Sequence, residues 1–209
     1  MSVVKIRVGE GTFGSGWAIE EGWVITNQHV ISGFSSVTIE VPDPDGGVRS
    51  IQGTVRGFDT KRDLAAIQVD HGAPVLPTRV VTALDAGESV VQLGYSVSAT
   101  GGFPVIHSGV ITTVVRHLGA VLDDAPKRAD LGSDSGGVGV VVFDAAADPG
   151  DSGGPVLDLA GNVVAITYGT VVQTSSGKRV IGQQEGTAIE SIERVWDDLK
   201  EGMNTTFVE

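Results

Sequence analysis

From Val3 to Ile189 the chain is a succession of short apolar runs, each broken by glycine, aspartate or proline. Runs of that length bounded by such breakers read as β-strands joined by tight turns. Thirty glycines and few aromatic residues suit the pattern, and the expected fold class is all-β. The first group of strands is predicted at Val3 to Val8, Gly16 to Glu20, Trp23 to Asn27, Val37 to Val41, Ser50 to Phe58 and Leu64 to Val69. A linker over His71 to Glu88, stiffened by Pro74 and Pro77, leads to a second group. Its strands are predicted near Ser89 to Tyr95, His107 to Val115, Gly139 to Phe143, Pro155 to Leu159, Val163 to Tyr168 and Thr187 to Ile189. Only Ser191 to Lys200 carries apolar residues at helical spacing, with Ser191 as N-cap and Gly202 beyond its end.

A chain of 209 residues fits one domain of this class. It has no cysteine, so no disulfide holds the fold and the apolar core must suffice. Fourteen basic against twenty-six acidic residues leave a net charge of −12, which repels phosphate backbones, and no basic patch interleaves with aromatics. Nucleic acid is not an expected partner. The opening Met1-Ser2-Val3-Val4-Lys5 lacks the features of a signal peptide, and no apolar run reaches membrane-spanning length. As written, the expectation is a soluble, unexported chain. The turn Pro42-Asp43-Pro44-Asp45-Gly46-Gly47 reads as a solvated hairpin rather than a calcium loop. The histidines lack metal-ligand spacing, so neither metal nor cofactor is expected.

Chemistry enters with Pro149-Gly150-Asp151-Ser152-Gly153-Gly154-Pro155, which sets one hydroxyl on a glycine-flanked turn able to present backbone N–H groups to an oxyanion. A glycine-rich turn with a bystander serine is the bland alternative. A serine nucleophile needs a base, and the base needs an orienting carboxylate. His29 closes the apolar run Trp23-Val24-Ile25-Thr26 at a polar turn, a setting that His71, His107 and His117 lack. Asp63 stands at the mouth of Leu64-Ala65-Ala66-Ile67, whereas Asp59 reads as solvated beside Lys61-Arg62. The candidate catalytic residues are thus His29, Asp63 and Ser152, in the chain order of chymotrypsin.

With these residues in place the sequence resembles the trypsin-like serine proteases, and among them the HtrA (Deg) branch. Gly14-Ser15-Gly16-Trp17, Thr26-Asn27-Gln28-His29-Val30, Asp63-Leu64-Ala65 and the segment from Asp144 to Pro155 carry the resemblance. Asp151 departs from it, standing where the branch usually has asparagine, and a protease domain without a PDZ-like region is the expectation. The resemblance implies two six-stranded antiparallel barrels packed across a cleft, and a peptidase acting on polypeptides through an acyl-enzyme. It implies an oxyanion hole at the N–H groups of Gly150 and Ser152. It also implies a pocket floored by Ala146, with Thr167, Tyr168 and Gly169 as the substrate-pairing strand. An apolar floor favours small to medium apolar side chains before the scissile bond, unless Asp144 or Asp148 turns inward. The stretch from Leu118 to Val138 corresponds to a loop near the active site and is expected to be partly disordered. A buried Asp151 would need an internal cation, with Arg116, Lys127 and Arg128 as candidates. A non-cleaving peptide-binding module is the alternative function. A glutamyl endopeptidase is disfavoured, because Thr167 stands where that type has histidine. The oligomeric state is not legible in the residues.

Overall fold

In the computed structural model, residues 1–43, 45–98, 102–115, 139–170 and 182–205 are described. The first barrel is built from β1 Val3–Val8, β2 Thr12–Glu20, β3 Trp23–Thr26, β4 Ser36–Pro42, β5 Val48–Asp59 and β6 Leu64–Gln68. These run antiparallel in the order β5-β4-β1-β2-β3-β6, and β5 pairs with β6 to close the ring. The second is a closed barrel of β7 Ser89–Gly94, β8 Val105–Val115, β9 Val140–Phe143, β10 Pro155–Asp158, β11 Val163–Thr170 and β12 Gln184–Ala188. The two barrels match the expected fold class. β-Branched residues dominate the strands because their restricted χ1 suits a pleated surface, and alternate positions point inward. In β4, for example, Val37, Ile39 and Val41 are buried while Ser36 is exposed.

Each barrel has its own core: Val4, Ile6, Val24, Ile39 and Ile67 lie in the first, and Val90, Ile111, Phe143, Val156 and Val164 in the second. A third cluster joins them. Trp17, Ile25, Leu64 and Ala66 of the first barrel pack with Leu157, Val163 and Ile166 of the second. Each fully buried Leu or Ile there contributes roughly 1.5–3 kcal/mol relative to exposure, so the two barrels are held as one body.

The C-terminal region differs from the single helix expected over 191–200. It forms α2 Ile189–Glu193 and α3 Trp196–Lys200, after the short helix α1 Gln28–Ile31 of the first barrel. Ser191 is not an N-cap. It is buried inside α2, and its Oγ accepts the Gly139 N–H at 2.6 Å. Both helices close the interbarrel cluster through Ile189, Ile192, Val195 and Leu199. Gly202, at φ +98°, follows α3 as expected and turns the chain back. The short strand β13 Asn204–Thr205 then pairs parallel to β5 of the first barrel. The loop over 118–138, with Arg116, lies outside the described residues. Among the described residues no helix is long and apolar enough to cross a membrane.

Candidate active site

His29 leaves β3 on α1, whose Val30 and Ile31 are buried and anchor it, so the imidazole faces outward at 47% exposure. Asp63 follows the β5–β6 turn and is 5% exposed. Its Oδ2 lies 2.7 Å from His29 Nδ1, and its Oδ1 accepts the His29 backbone N–H at 2.8 Å. An ionised carboxylate only accepts, so the proton of the neutral imidazole sits on Nδ1 and leaves the Nε2 lone pair free. The two bonds fix both the tautomer and the tilt of the ring. Asp63 itself has φ +54°, the one non-glycine residue in the left-handed region among the described residues.

The Ser152 turn comes from the second barrel and docks on β2. Ser15 carries much of this docking, a role sequence reasoning missed although its Gly-Ser-Gly block was noted. Its N–H donates to Ser152 O at 2.8 Å. Its Oγ donates to Gly150 O and accepts the Tyr95 N–H, both at 2.7 Å. Its carbonyl accepts Thr26 Oγ1 at 2.7 Å, three residues from His29. Ser152 Oγ makes a long 3.4 Å contact to the Tyr168 carbonyl, and the Tyr168 ring stands edge-on to the His29 imidazole, with centroids 6.0 Å apart. His29 and Asp63 are thus bonded directly, and Tyr168 links them to Ser152, its ring against the imidazole and its carbonyl against the serine hydroxyl.

Backbone donors on this turn divide in two. The N–H groups of Asp151, Gly153 and Gly154 donate to Asp148 O, Thr167 O and Asp151 O. Those of Gly150 and Ser152 have no acceptor among the described residues. Pro149 O accepts the Val97 N–H at 2.9 Å, so the trans peptide directs the Gly150 N–H the opposite way. Gly150 is at φ +102°, and a Cβ there would lie 2.4 Å from Tyr95 O and 2.6 Å from the Phe13 ring. Only glycine fits.

Asp151 is buried at 1% exposure, as a tie behind the turn requires. Burial pushes its carboxyl above the ordinary aspartate range, while the Asp148 N–H and nearby His107 pull it back. The Asp148 bond is 2.8 Å, and His107 Nε2 lies 3.8 Å from Oδ2. Of the cations expected to face it, Arg116, Lys127 and Arg128 all lie outside the described residues. The described partner is His107 on β8, opposite Gln92 on β7. Its signal in the sequence was only an inward-facing position on a strand.

Asp59 corrects a second expectation. It is not solvated but 1% exposed, with Oδ1 accepting the Lys61 and Arg62 N–H groups at 2.8 and 3.2 Å. Its Oδ2 pairs with Arg62 Nη1 at 2.6 Å. A carboxylate ahead of a basic pair looks exposed in sequence; here the turn folds back and buries it.

The fold is shared with known proteins. The profile of the trypsin-like peptidase domain matches residues 14–166, most of the chain. The chain belongs to the trypsin-like peptidase family. Its relatives are HtrA/Deg proteins. This trypsin-like peptidase domain is 34% identical over 183 residues to the serine protease Rv3671c of Mycobacterium tuberculosis, covering 82% of the chain and 41% of that protein. It is 31% identical to the putative serine protease HhoA of Synechocystis, covering 73% of the chain and 36% of the relative. The chain thus spans about two fifths or less of these curated relatives. Among solved structures, the inactive form of the Rv3671c protease superposes with a TM-score of 0.72 at 26% identity, covering 95% of this chain and 88% of that one. The active form gives 0.71 at 27% identity, covering 100% and 83%.

The strand expected to pair with substrate is β11 of this trypsin-like peptidase domain. Thr167 is 1% exposed, and its N–H and C=O are engaged by Gly154 O and the Gly153 N–H. Both its backbone groups already have partners within the protein. Tyr168 sits at a register shift between Thr167 and Gly169 and turns its carbonyl to Ser152, as bulges beside active sites commonly do. Beyond it, a Cβ on Gly169 would meet open space. Ala146 is exposed. Asp144 is held elsewhere, its Oδ1 accepting the Val110 N–H at 2.6 Å, and Asp148 accepts Ser98 Oγ at 3.1 Å. Among the described residues no acidic or histidine cluster is built to hold a metal.

Proposed function

We propose that this domain is a serine endopeptidase working through His29, Asp63 and Ser152. The single observation that carries the reading is the pair of unengaged N–H groups on Gly150 and Ser152, set on a turn whose other amides are bonded, beside a histidine with a free Nε2. His29 Nε2 takes the Ser152 hydroxyl proton as Oγ attacks the peptide carbonyl. The carbonyl oxygen gains negative charge and is received by the Gly150 and Ser152 N–H groups. The imidazolium, stabilised by Asp63, returns the proton to the departing amine, leaving an acyl-enzyme. Water then attacks the acyl-enzyme and gives its proton to His29, which passes it to the departing Ser152 Oγ as the acid is released. The Tyr168 carbonyl is the natural acceptor for the substrate N–H before the scissile bond. With Ala146 at the pocket floor and Asp144 and Asp148 engaged elsewhere, the preferred residue there is small to medium and apolar.

The test is labelling with a fluorophosphonate probe beside hydrolysis of a casein-type substrate. Wild type reacts at Ser152 and cleaves; Ser152→Ala and His29→Ala do neither while keeping the wild-type circular dichroism spectrum. Wild-type turnover in Ser152→Ala would overturn the assignment. A folded protein that binds peptide without labelling would instead favour a non-cleaving module.

A further inference from the structure

The strained backbone at Asp63 is clamped from both barrels. On one side of its Cα, the Arg62 carbonyl accepts Thr187 Oγ1 at 3.1 Å. Thr187 is fully buried on β12 of the second barrel, paired with Ile166 of β11 two residues before Tyr168. On the other side, the Asp63 carbonyl accepts Asn27 Nδ2 at 2.9 Å, and Asn27 is fully buried in the first barrel. With both flanking peptide planes held, the φ of +54° has no freedom to relax. The Arg62 end is braced in turn by buried Asp59, which accepts the Lys61 and Arg62 N–H groups and pairs with the Arg62 guanidinium.

We infer that Asp59, Arg62 and Thr187 form an interbarrel latch that positions Asp63, so that the aim of the His29 imidazole depends on how the second barrel is docked. None of the three touches substrate or reacting atoms; they are positioning residues. Without the Thr187 bond the Arg62–Asp63 peptide can rotate, the carboxylate swings with it, and both bonds to His29 lengthen together. The Thr187 strand neighbours the one bearing the Tyr168 carbonyl. Peptide bound along β11 would therefore press on the same latch. The inference rests on the proposed serine chemistry for its kinetic readout but not for its spectroscopic one.

The experiment compares Thr187→Val, which removes the hydroxyl at nearly constant shape, Thr187→Ser, which restores it, and Asp59→Asn, which keeps the turn but drops the ion pair. Asp158→Asn, at the distant Arg79 ion pair, is the stability control. Kinetics and the far-downfield proton resonance of His29 Nδ1–H are both recorded. Expected are a kcat loss of roughly 3- to 30-fold in Thr187→Val and Asp59→Asn with KM little changed, below the ~10²-fold of a 1 Å misplacement. The Nδ1–H resonance broadens or shifts upfield in both, Thr187→Ser recovers, and Asp158→Asn matches wild type. Should Thr187→Val and Asp59→Asn lose melting temperature like the control while keeping kcat and the resonance, the latch is merely structural and the inference fails. Absence of turnover in wild type would count against the serine chemistry alone, because the resonance still decides the latch.

Discussion

Gly150→Ala is the most informative single change, because one methyl group tests the backbone geometry on which the proposed oxyanion site depends. The residue is at φ +102°, and the new Cβ would sit 2.4 Å from Tyr95 O. An ordinary C···O approach is about 3.3 Å, so the turn must give by roughly 0.9 Å, the Phe13 ring at 2.6 Å blocking the other way out. The positive φ costs about 1–3 kcal/mol and the overpacking a further ~1–3 kcal/mol. Together these lower the melting temperature by roughly 4–24 °C for a chain of this size. A displacement near 1 Å at a reacting centre costs about 10²-fold in rate, within the ~10²–10³ range for loss of an oxyanion donor. Gly161→Ala separates the two effects: its φ is +86°, yet nothing lies within 4 Å of the added Cβ. It should lose about 1–3 kcal/mol and no activity. The assay is kcat and KM on a peptide ester at a temperature where all three proteins are folded by circular dichroism. If Gly150→Ala loses no more kcat than Gly161→Ala, the Gly150 N–H does not serve the transition state.

Asp151→Asn should raise stability at neutral pH. A carboxyl whose folded value is raised favours the folded state most when protonated, so that stability is lost as pH climbs above the ordinary aspartate value of about 3.9. Asparagine can still accept the Asp148 N–H, so its melting temperature should exceed wild type at about pH 7–8 and converge with it near pH 4; an equal difference at both refutes the burial argument. Peptide-library mass spectrometry should find cleavage after alanine, valine and leucine, with modest discrimination of about 1–3 kcal/mol per methylene. Dominant cleavage after lysine or arginine would show an anionic pocket that neither Asp144 nor Asp148 supplies in this conformation.

The sequence by itself determined which segments become strands and which residues are candidates for the chemistry. A strand is written in local alternation and its breakers, so Val3–Val8 was read to the residue and Leu64–Gln68 to within one. Ser152 and Gly150 were legible because a turn that needs positive φ must spell out its glycines. His29 and Asp63, which the structure pairs, stood out as polar residues at the borders of apolar runs, one following Trp23–Thr26 and the other preceding Leu64. What only the tertiary structure decided lies in contacts between distant segments. Asp59 looks exposed in sequence, and its burial arises from the fold of the β5–β6 turn onto itself. The Ser15 hydroxyl bridges Tyr95 and Gly150, residues 80 and 135 positions away. Thr187 reaches Arg62 across 125 positions. The expected single helix over 191–200 became two, because Ile189, Ile192, Val195 and Leu199 must all enter the interbarrel cluster and the break near Val195 lets them. Hydrogen bonds and buried ion pairs across such separations depend on how two barrels dock, and docking is set by the summed packing of many side chains, which no local pattern records.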